Sequence, residues 1–425
     1  MYGSRIYLDK KSACSRIHSA GPLFRAKAAD KESMKRTDWV SSAFIFLIVA
    51  YLIAALVQAL LPFSLNRLIG AAIIIVLGYD FITHLNRNRI IASCLICILA
   101  LINIGIFTGN RVEEAEFYIY WIAALLTLLY VGSPDRIKSL QQVAVRNIGA
   151  LRLILIGSAA FVGALLISKV GYESSWGGNL YFVGFCNEEH TMASVCCLIM
   201  TLSLLCMKAN ELIAPFAFGI VGVMSWALLE TGARTFLIPA AVIWIVFAQS
   251  CVKWRWLRIV LYCVLGVSAV YVFMSSGMST KFDYLSGIGS DNSLLNTLTS
   301  GRIGYWTTDL GEFYASGPVG WLLGNSAVSV YNINFATFNM RIWAHNDFVM
   351  LLCSVGLTGT FLYILALRAF FTCLAKQVGR LAFALVASFV LFPALINGFY
   401  SYQHLLYAAV FLICAVTWNR DLLCK

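Results

Sequence analysis

Charged residues are scarce in this chain. Only 12% of its 425 residues are charged, whereas 60% are hydrophobic, and the mean hydropathy is +0.81. So much apolar surface requires lipid, and not only a compact soluble core, to cover it. The composition therefore predicts an integral membrane protein. The formal net charge of +11 is interpreted as attraction to anionic inner-leaflet lipid, not as a surface for nucleic acid.

The chain also lacks the motifs of nucleotide chemistry. It has neither a Walker-type phosphate loop nor a dinucleotide fingerprint, so energy for any reaction must come from an activated substrate or an ion gradient. Of the thirteen cysteines, only Cys186 falls on a predicted outer segment, which excludes an internal disulfide there. The two halves of the chain do not resemble each other, which argues against a transporter made of parallel repeats.

Long apolar runs predict the fold class, an all-α polytopic helical bundle with about twelve transmembrane helices. The first run is too long, and begins too far along the chain, for a cleavable signal sequence. Residues 1–38 form a basic tail, and residues 39–425 form the membrane domain. The predicted spans are 39–61, 68–85, 90–108, 117–132, 153–167, 190–207, 212–229, 236–252, 259–274, 348–371, 381–396 and 405–418.

The positions of lysine and arginine predict the orientation, because positively charged flanks resist translocation. With the N-terminus in the cytoplasm, 24 of the 31 basic residues lie on the inner side. Both termini are then cytoplasmic, and residues 171–189 and 277–344 are outer loops. The second of these loops, between helices 9 and 10, is far longer than a usual connection, which favours a functional role.

The long loop has a helical pattern of its own. Ser300 is predicted to cap a helix whose apolar side carries Trp306, with Asp309 on the opposite side and Gly317-Pro318 at its end. The loop returns to the membrane through His345-Asn346-Asp347, where Asn346 or Asp347 can cap the tenth span.

His345 and three arginines are the strongest candidates for chemistry. A neutral histidine at the membrane edge can act as a general base, although an interfacial histidine bonded to a backbone carbonyl is the simpler alternative. Arg234, Arg302 and Arg341 are three of only seven outer basic residues, and converging guanidinium groups suit a diphosphate. The alternative is that Arg234 pairs with Glu230 and Arg302 with Asp309.

Two further groups of polar residues were weighed. Asp80 and His84 are one helical turn apart and could form the proton relay of a transporter, but a satisfied polar contact is favoured. Glu188-Glu189-His190 looks like a partial metal site. Three consecutive helix residues cannot all face one ion, so a solvated start of a helix is favoured here.

A set of motifs follows in a fixed order along the late part of the chain: Ser300-Gly301-Arg302, Trp306, Phe313, Pro318-Val319-Gly320, His345-Asn346-Asp347-Phe348 and Gly356-Leu357-Thr358-Gly359. This order resembles the O-antigen polymerase and O-antigen ligase superfamily of bacterial envelope glycosyltransferases. The stretch from Glu230 to Arg234, and Gly184-Phe185-Cys186-Asn187, also resemble motifs of that family. The chain departs from the family pattern at Glu188-Glu189, where Pro-Asn or a similar pair is expected.

The resemblance implies a metal-independent, inverting glycosyltransferase at the periplasmic face of the bacterial inner membrane, with no cofactor. Its donor is a glycan on undecaprenyl diphosphate, and its surroundings are membrane lipid. On this interpretation His345 deprotonates the acceptor while Arg302 and Arg234 hold the leaving diphosphate. Substrate contacts are assigned to Arg341, Asn346 and Trp306. A chain-length regulator or a flippase is a candidate partner; nucleic acid is not.

Two alternatives to the favoured hypothesis, a polysaccharide polymerase, remain open. A ligase that transfers the finished glycan to lipid A-core or to protein needs the same donor chemistry, and the acceptor leaves no signature in the sequence. A secondary transporter or polysaccharide flippase is compatible with twelve spans and with Asp80 and His84. The missing internal repeat and the scarcity of charge within the spans argue against it.

Overall fold

The structure is a computed structural model that describes residues 39–418, except 62–64, 108–109, 176–177, 187, 253, 276–298 and 300–301. It is all-α apart from one hairpin. The longer helices before the long loop are Trp39–Leu56, Leu65–Thr83, Arg87–Ile102, Arg111–Val131, Pro134–Arg146, Ile148–Ser168, Glu189–Lys208, Ala214–Glu230, Leu237–Cys251 and Arg255–Ser275. Three helices lie within the long loop and three follow it: Arg302–Ala315, Gly317–Leu323, Ala327–Phe338, Asp347–Gln377, Arg380–Ile396 and Gln403–Trp418.

The helices have the composition of a membrane protein. In the part of the chain that the structure describes, seven are long and apolar enough to cross a membrane, and four apolar helices are shorter. All twelve predicted spans coincide with helices. The prediction that each of the twelve crosses the membrane remains a prediction.

The centre of the bundle is formed by helices Glu189–Lys208 and Gln403–Trp418, which are buried along almost their whole length. Helix Arg87–Ile102, in contrast, buries only Leu99 among its described side chains. Its outward apolar residues include Leu101, which is 74% exposed. A helix that is apolar on its exposed side suits contact with lipid, so this helix belongs to the rim.

Residues 171–189 contain a hairpin that the sequence did not predict. Strands Tyr172–Ser175 and Asn179–Phe182 pair antiparallel, with Tyr172 opposite Phe182. At the base of the hairpin Gly171 has φ +82°, and a Cβ there would lie 2.7 Å from Cα of Gly184. Only glycine permits such a close approach of two backbones. Cys186, predicted to be the outer cysteine, is buried against the bundle.

The described part of the long loop folds into three helices, of which the sequence predicted one. Helix Arg302–Ala315 is that helix, and its predicted cap, Ser300, lies outside the described residues. The predicted position of Asp309 on the solvent side is wrong, because its side chain is buried and accepts a hydrogen bond from Asn334. The neighbouring helix Ala327–Phe338 covers it, and no pattern in the sequence predicted that helix.

The long loop also packs into a break in helix Asp347–Gln377. Gly356 has φ +65° inside this helix, so the carbonyls of Cys353 and Ser354 lose their usual helical partners. The backbone N–H groups of Asn325 and Ser326 donate to them at 2.7 and 3.2 Å. A Cβ on Gly356 would lie 2.5 Å from the backbone of Leu322. The loop therefore completes the helix that follows it.

Candidate functional site

His345, Asn346 and Asp347 all bind one short stretch of chain, residues 395–400, called here the return segment. Asn346 caps helix Asp347–Gln377, because its side-chain oxygen accepts from the N–H groups of Phe348 and Val349. Its amide nitrogen donates to the carbonyl of Leu395 at 2.7 Å. The capping role predicted for Asn346 is confirmed. Both ends of its amide are engaged within the protein, which indicates a positioning role.

Asp347 holds the return segment through hydrogen bonds to its backbone. Its buried carboxylate accepts hydrogen bonds from the N–H groups of Phe399 at 3.0 Å and Tyr400 at 3.2 Å. The hydroxyl of Tyr363 donates to the same carboxylate at 2.9 Å. A carboxylate with three donors is well compensated for its burial. The return segment is therefore held rigidly beside His345.

The imidazole of His345 is oriented by Asn397 and Trp343. Its Nδ1 lies 3.2 Å from Oδ1 of Asn397; because an amide oxygen only accepts, Nδ1 carries the proton and Nε2 is left as the basic nitrogen. The ring centroid lies 4.8 Å from that of Trp343. Burial, and then the charge of Arg302, lower the pKa of His345 to about 3. The ring is neutral throughout the physiological range.

Arg302 lies at the start of its helix and reaches the return segment, where its guanidinium donates to the carbonyl of Ile396. Burial lowers its pKa to about 10, with a further contribution from Arg234, so the group remains charged at neutral pH. Arg234 belongs to the short turn Arg234–Phe236 that precedes helix Leu237–Cys251. Arg302 interacts electrostatically with both Arg234 and His345. These three residues, which come from three separate elements, are called here the Arg–His cluster.

A cavity of about 1030 Å³ adjoins this cluster. Trp343 and Tyr402 line the cavity and also separate it from the cluster, since Trp343 contacts the His345 ring and Tyr402 interacts electrostatically with Arg302. The two aromatic rings lie 5.5 Å apart. Trp343 and Tyr402, called here the aromatic wall, therefore lie at the edge of the cavity that is nearest the cluster.

Two of the predicted substrate-binding residues make their polar contacts with residues outside the Arg–His cluster. Arg341 lines the cavity, where it forms an ion pair with Glu113 and donates to Asn332 at 2.7 Å. The indole N–H of Trp306 donates to the carbonyl of Ala344 at 2.7 Å. Trp306 therefore supports the backbone directly before His345, and its role in the fold is to position that residue.

The predicted alternatives to this site have their own partners. Asp80 forms an ion pair with Arg136, and His84 lies 3.6 Å from the same carboxylate, which is the satisfied polar contact that the sequence favoured. Glu230 accepts hydrogen bonds from Trp226 at 3.2 Å and Tyr172 at 3.4 Å.

Glu188 and Glu189 are functional candidates that the sequence interpretation missed. Glu188 lines the cavity, whereas Glu189 interacts electrostatically with Arg302. Of these two adjacent residues, one therefore borders the cavity and the other interacts with the Arg–His cluster. The signals in the sequence were the likeness of Glu188-Glu189-His190 to a partial metal site and the departure from the family pattern at Glu188-Glu189. In the described ranges, no three histidine, cysteine or acidic side chains converge to ligate a metal ion.

Comparison of the chain with protein-family models, with curated proteins and with solved structures finds no match.

Proposed function

We propose that the chain is a membrane glycosyltransferase that uses a glycan on a polyprenyl diphosphate as donor. The observation that carries the proposal is the Arg–His cluster, in which two arginines and a neutral histidine converge beside a large cavity. The charge of Arg234 opposes that of Arg302, and Glu189 offsets only part of this repulsion. A diphosphate would relieve that repulsion and bind both guanidinium groups.

The leaving group is where the arginines contribute most. As the acceptor hydroxyl attacks the anomeric carbon, the bond from that carbon to the diphosphate oxygen breaks and negative charge builds up on the diphosphate. Fixed positive charges in a site shielded from water stabilise this charge more than water does. Arg302 is already oriented by the carbonyl of Ile396, so it needs little reorganisation.

His345 is proposed as the base that receives the acceptor proton at Nε2. With its pKa lowered to about 3 by burial and by Arg302, His345 by itself is a weak base. A bound diphosphate would offset the charge of Arg302 and raise that pKa, since nearby anions favour the protonated imidazole. Donor binding would thereby activate the base. The donor would then have to bind before the acceptor can be deprotonated.

The sequence resemblance covers polymerases and ligases alike, and the polymerase remains the favoured hypothesis of the two. Both transfers need the same donor site, so the Arg–His cluster supports them equally. The ion pair of Asp80 with Arg136 gives no support to the proton relay of a transporter.

The proposal is tested on Arg302. We expect Arg302→Ala to weaken donor binding about tenfold to a hundredfold, because hydrogen bonds to charged groups contribute about 1.5–3 kcal/mol. Binding would be measured with the full chain in nanodiscs and a fluorescent undecaprenyl-diphosphate oligosaccharide, and transfer by the appearance of longer products. Arg152→Ala, which removes an arginine paired with Glu211, is the control. Equal donor affinity in the wild type and in Arg302→Ala would refute the proposal.

A further inference from the structure

The cavity beside the aromatic wall has a lining of a particular kind. Aromatic rings, including Trp343, Tyr120 and Tyr402, alternate there with side-chain amides and carboxylates. Aromatic faces pack on the apolar C–H faces of sugar rings, while amides and carboxylates bond hydroxyl groups. The volume of about 1030 Å³ is at the upper end of small-ligand sites, which leaves room for several sugar rings.

The charged side chains that line the cavity are three arginines and three glutamates: Arg67, Arg111, Arg341, Glu113, Glu116 and Glu188. Glu113 is paired with Arg341, and Glu116 lies 3.3 Å from Arg67. Glu188 has a different setting, because its carboxylate interacts electrostatically with Tyr51, Tyr120 and Tyr402. Those three side chains come from three different elements, so Glu188 lies where the aromatic part of the lining converges.

Glu188 is exposed at the cavity, and no ion pair between it and a basic side chain is found in the described part of the chain. The carboxylate of Glu189 follows it directly in the sequence. An anionic ligand brought next to this carboxylate would add a third negative charge to the pair. A neutral sugar hydroxyl or a protonated amine would instead donate to it. The side-chain amide of Asn66 also lines the cavity.

We propose that this cavity binds the acceptor carbohydrate and that Glu188 selects neutral or amino sugars and rejects acidic ones. The inference rests on the proposed function, since it assigns to the second substrate the chamber next to the donor site. The peptide link between Glu188 and Glu189 sets the two sites close together, because consecutive Cα atoms are about 3.8 Å apart. An acceptor in the cavity would thus reach the edge of the Arg–His cluster past Trp343 and Tyr402.

The test measures saccharide binding without any transfer reaction. The full chain, in nanodiscs free of sugar-based detergent, is titrated with maltotriose, with the trisaccharide of glucosamine and with trigalacturonate, and binding is followed by saturation-transfer NMR. We expect the first two to bind and trigalacturonate to bind about tenfold more weakly, since like charges oppose association. Glu188→Gln should remove that difference, and Glu188→Asp, which keeps the charge, should retain it.

The matched control is Glu312→Gln, which changes an exposed carboxylate on helix Arg302–Ala315 and should leave the discrimination unchanged. Thermal unfolding of each variant verifies that it is folded. Absence of binding by maltotriose and the glucosamine trisaccharide, or equal binding of trigalacturonate to the wild type and to Glu188→Gln, would overturn the inference. Because the assay contains no donor, a failure of the proposed transferase activity would be seen separately, in the donor-binding experiment with Arg302→Ala.

Discussion

His345 combines a strained backbone with a fixed ring. Its φ of +51° lies in the left-handed region, which is unusual for a residue other than glycine. Asn397 and Trp343 hold the imidazole from two sides. Strain of this kind costs of order 1–3 kcal/mol and persists only where the surroundings enforce it. The three consecutive contacts of residues 345–347 with the return segment supply that enforcement.

Replacing His345 by alanine separates binding from chemistry. We expect His345→Ala to reduce glycan transfer by about 10²–10⁴-fold, the usual contribution of a general base, while donor affinity stays close to that of the wild type. The measurement is transfer from the undecaprenyl-diphosphate-linked donor together with donor binding. His84→Ala, a change to the half-exposed histidine beside Asp80, serves for comparison. Wild-type transfer by His345→Ala would remove the base from the mechanism.

Asp309 makes the stability of the loop depend on pH. Burial raises its pKa from 3.8 to about 7, with Asn334 acting in the opposite direction. Its protonated form is the one that the folded state favours, so this contribution is complete below about pH 4 and is lost as the pH rises through 7. The sequence predicted the helix but not this burial, which depends on helix Ala327–Phe338.

Asp309→Asn should therefore stabilise the protein more at pH 8 than at pH 5, because asparagine keeps the shape of the protonated acid and cannot ionise. Thermal unfolding of the full chain in nanodiscs at the two pH values measures the difference. Glu312→Gln, on the exposed side of the same helix, should show no such dependence. A gain in stability that is the same at pH 5 and pH 8 would contradict the assignment.

Among the elements, the broken helix Asp347–Gln377 depends most on one residue. We expect Gly356→Ala to destabilise the protein strongly, since the new Cβ would meet the backbone of Leu322 at 2.5 Å and φ +65° is unfavourable for alanine. Gly311→Ala, on helix Arg302–Ala315, meets nothing within 4 Å and should be neutral or stabilising by about 0.5–1 kcal/mol. Thermal unfolding compares them, and a smaller loss for Gly356→Ala than for Gly311→Ala would disprove the account.

The sequence could predict elements better than the contacts between them. Apolar runs are local patterns, so each of the twelve predicted runs coincides with a helix. The cap at Asn346 is local as well. The break at Gly356 was not predicted, because Asn325 and Ser326, which supply its missing partners, lie about thirty residues earlier. The same holds for Glu114 of helix Arg111–Val131, whose carboxylate caps helix Ala327–Phe338 by accepting from Val328 at 3.1 Å.

At the scale of the whole molecule, the distribution of basic residues predicts the orientation. A reporter fused near Ser316 should be on the outer side of the membrane, whereas reporters at either terminus should be in the cytoplasm, because that arrangement keeps 24 of 31 basic residues inside. Alkaline phosphatase and green fluorescent protein fusions decide it, each being active on only one side. Cytoplasmic behaviour near Ser316 would place the Arg–His cluster on the wrong side for a periplasmic donor.

The residues of the Arg–His cluster could be named from the sequence, but the residues that surround them could not. Arg234, Arg302 and His345 could be named from their rarity on the predicted outer side and from the family resemblance. The aromatic wall of Trp343 and Tyr402, the position of Glu188 at the cavity and the interaction of Glu189 with Arg302 depend on how helices far apart in sequence pack. We expect those contacts to decide which substrate the cavity binds.

The break at Gly356 has a consequence for how the protein is made. Synthesis proceeds from the N-terminus, so the long loop is complete before helix Asp347–Gln377 leaves the ribosome. If that helix entered lipid alone, the carbonyls of Cys353 and Ser354 would lie in hydrocarbon without donors, which costs several kcal/mol for each group. The N–H groups of Asn325 and Ser326 are their partners. We therefore expect insertion of the broken helix to be coupled to folding of the loop, so that a delay in one leaves the other exposed to membrane proteases.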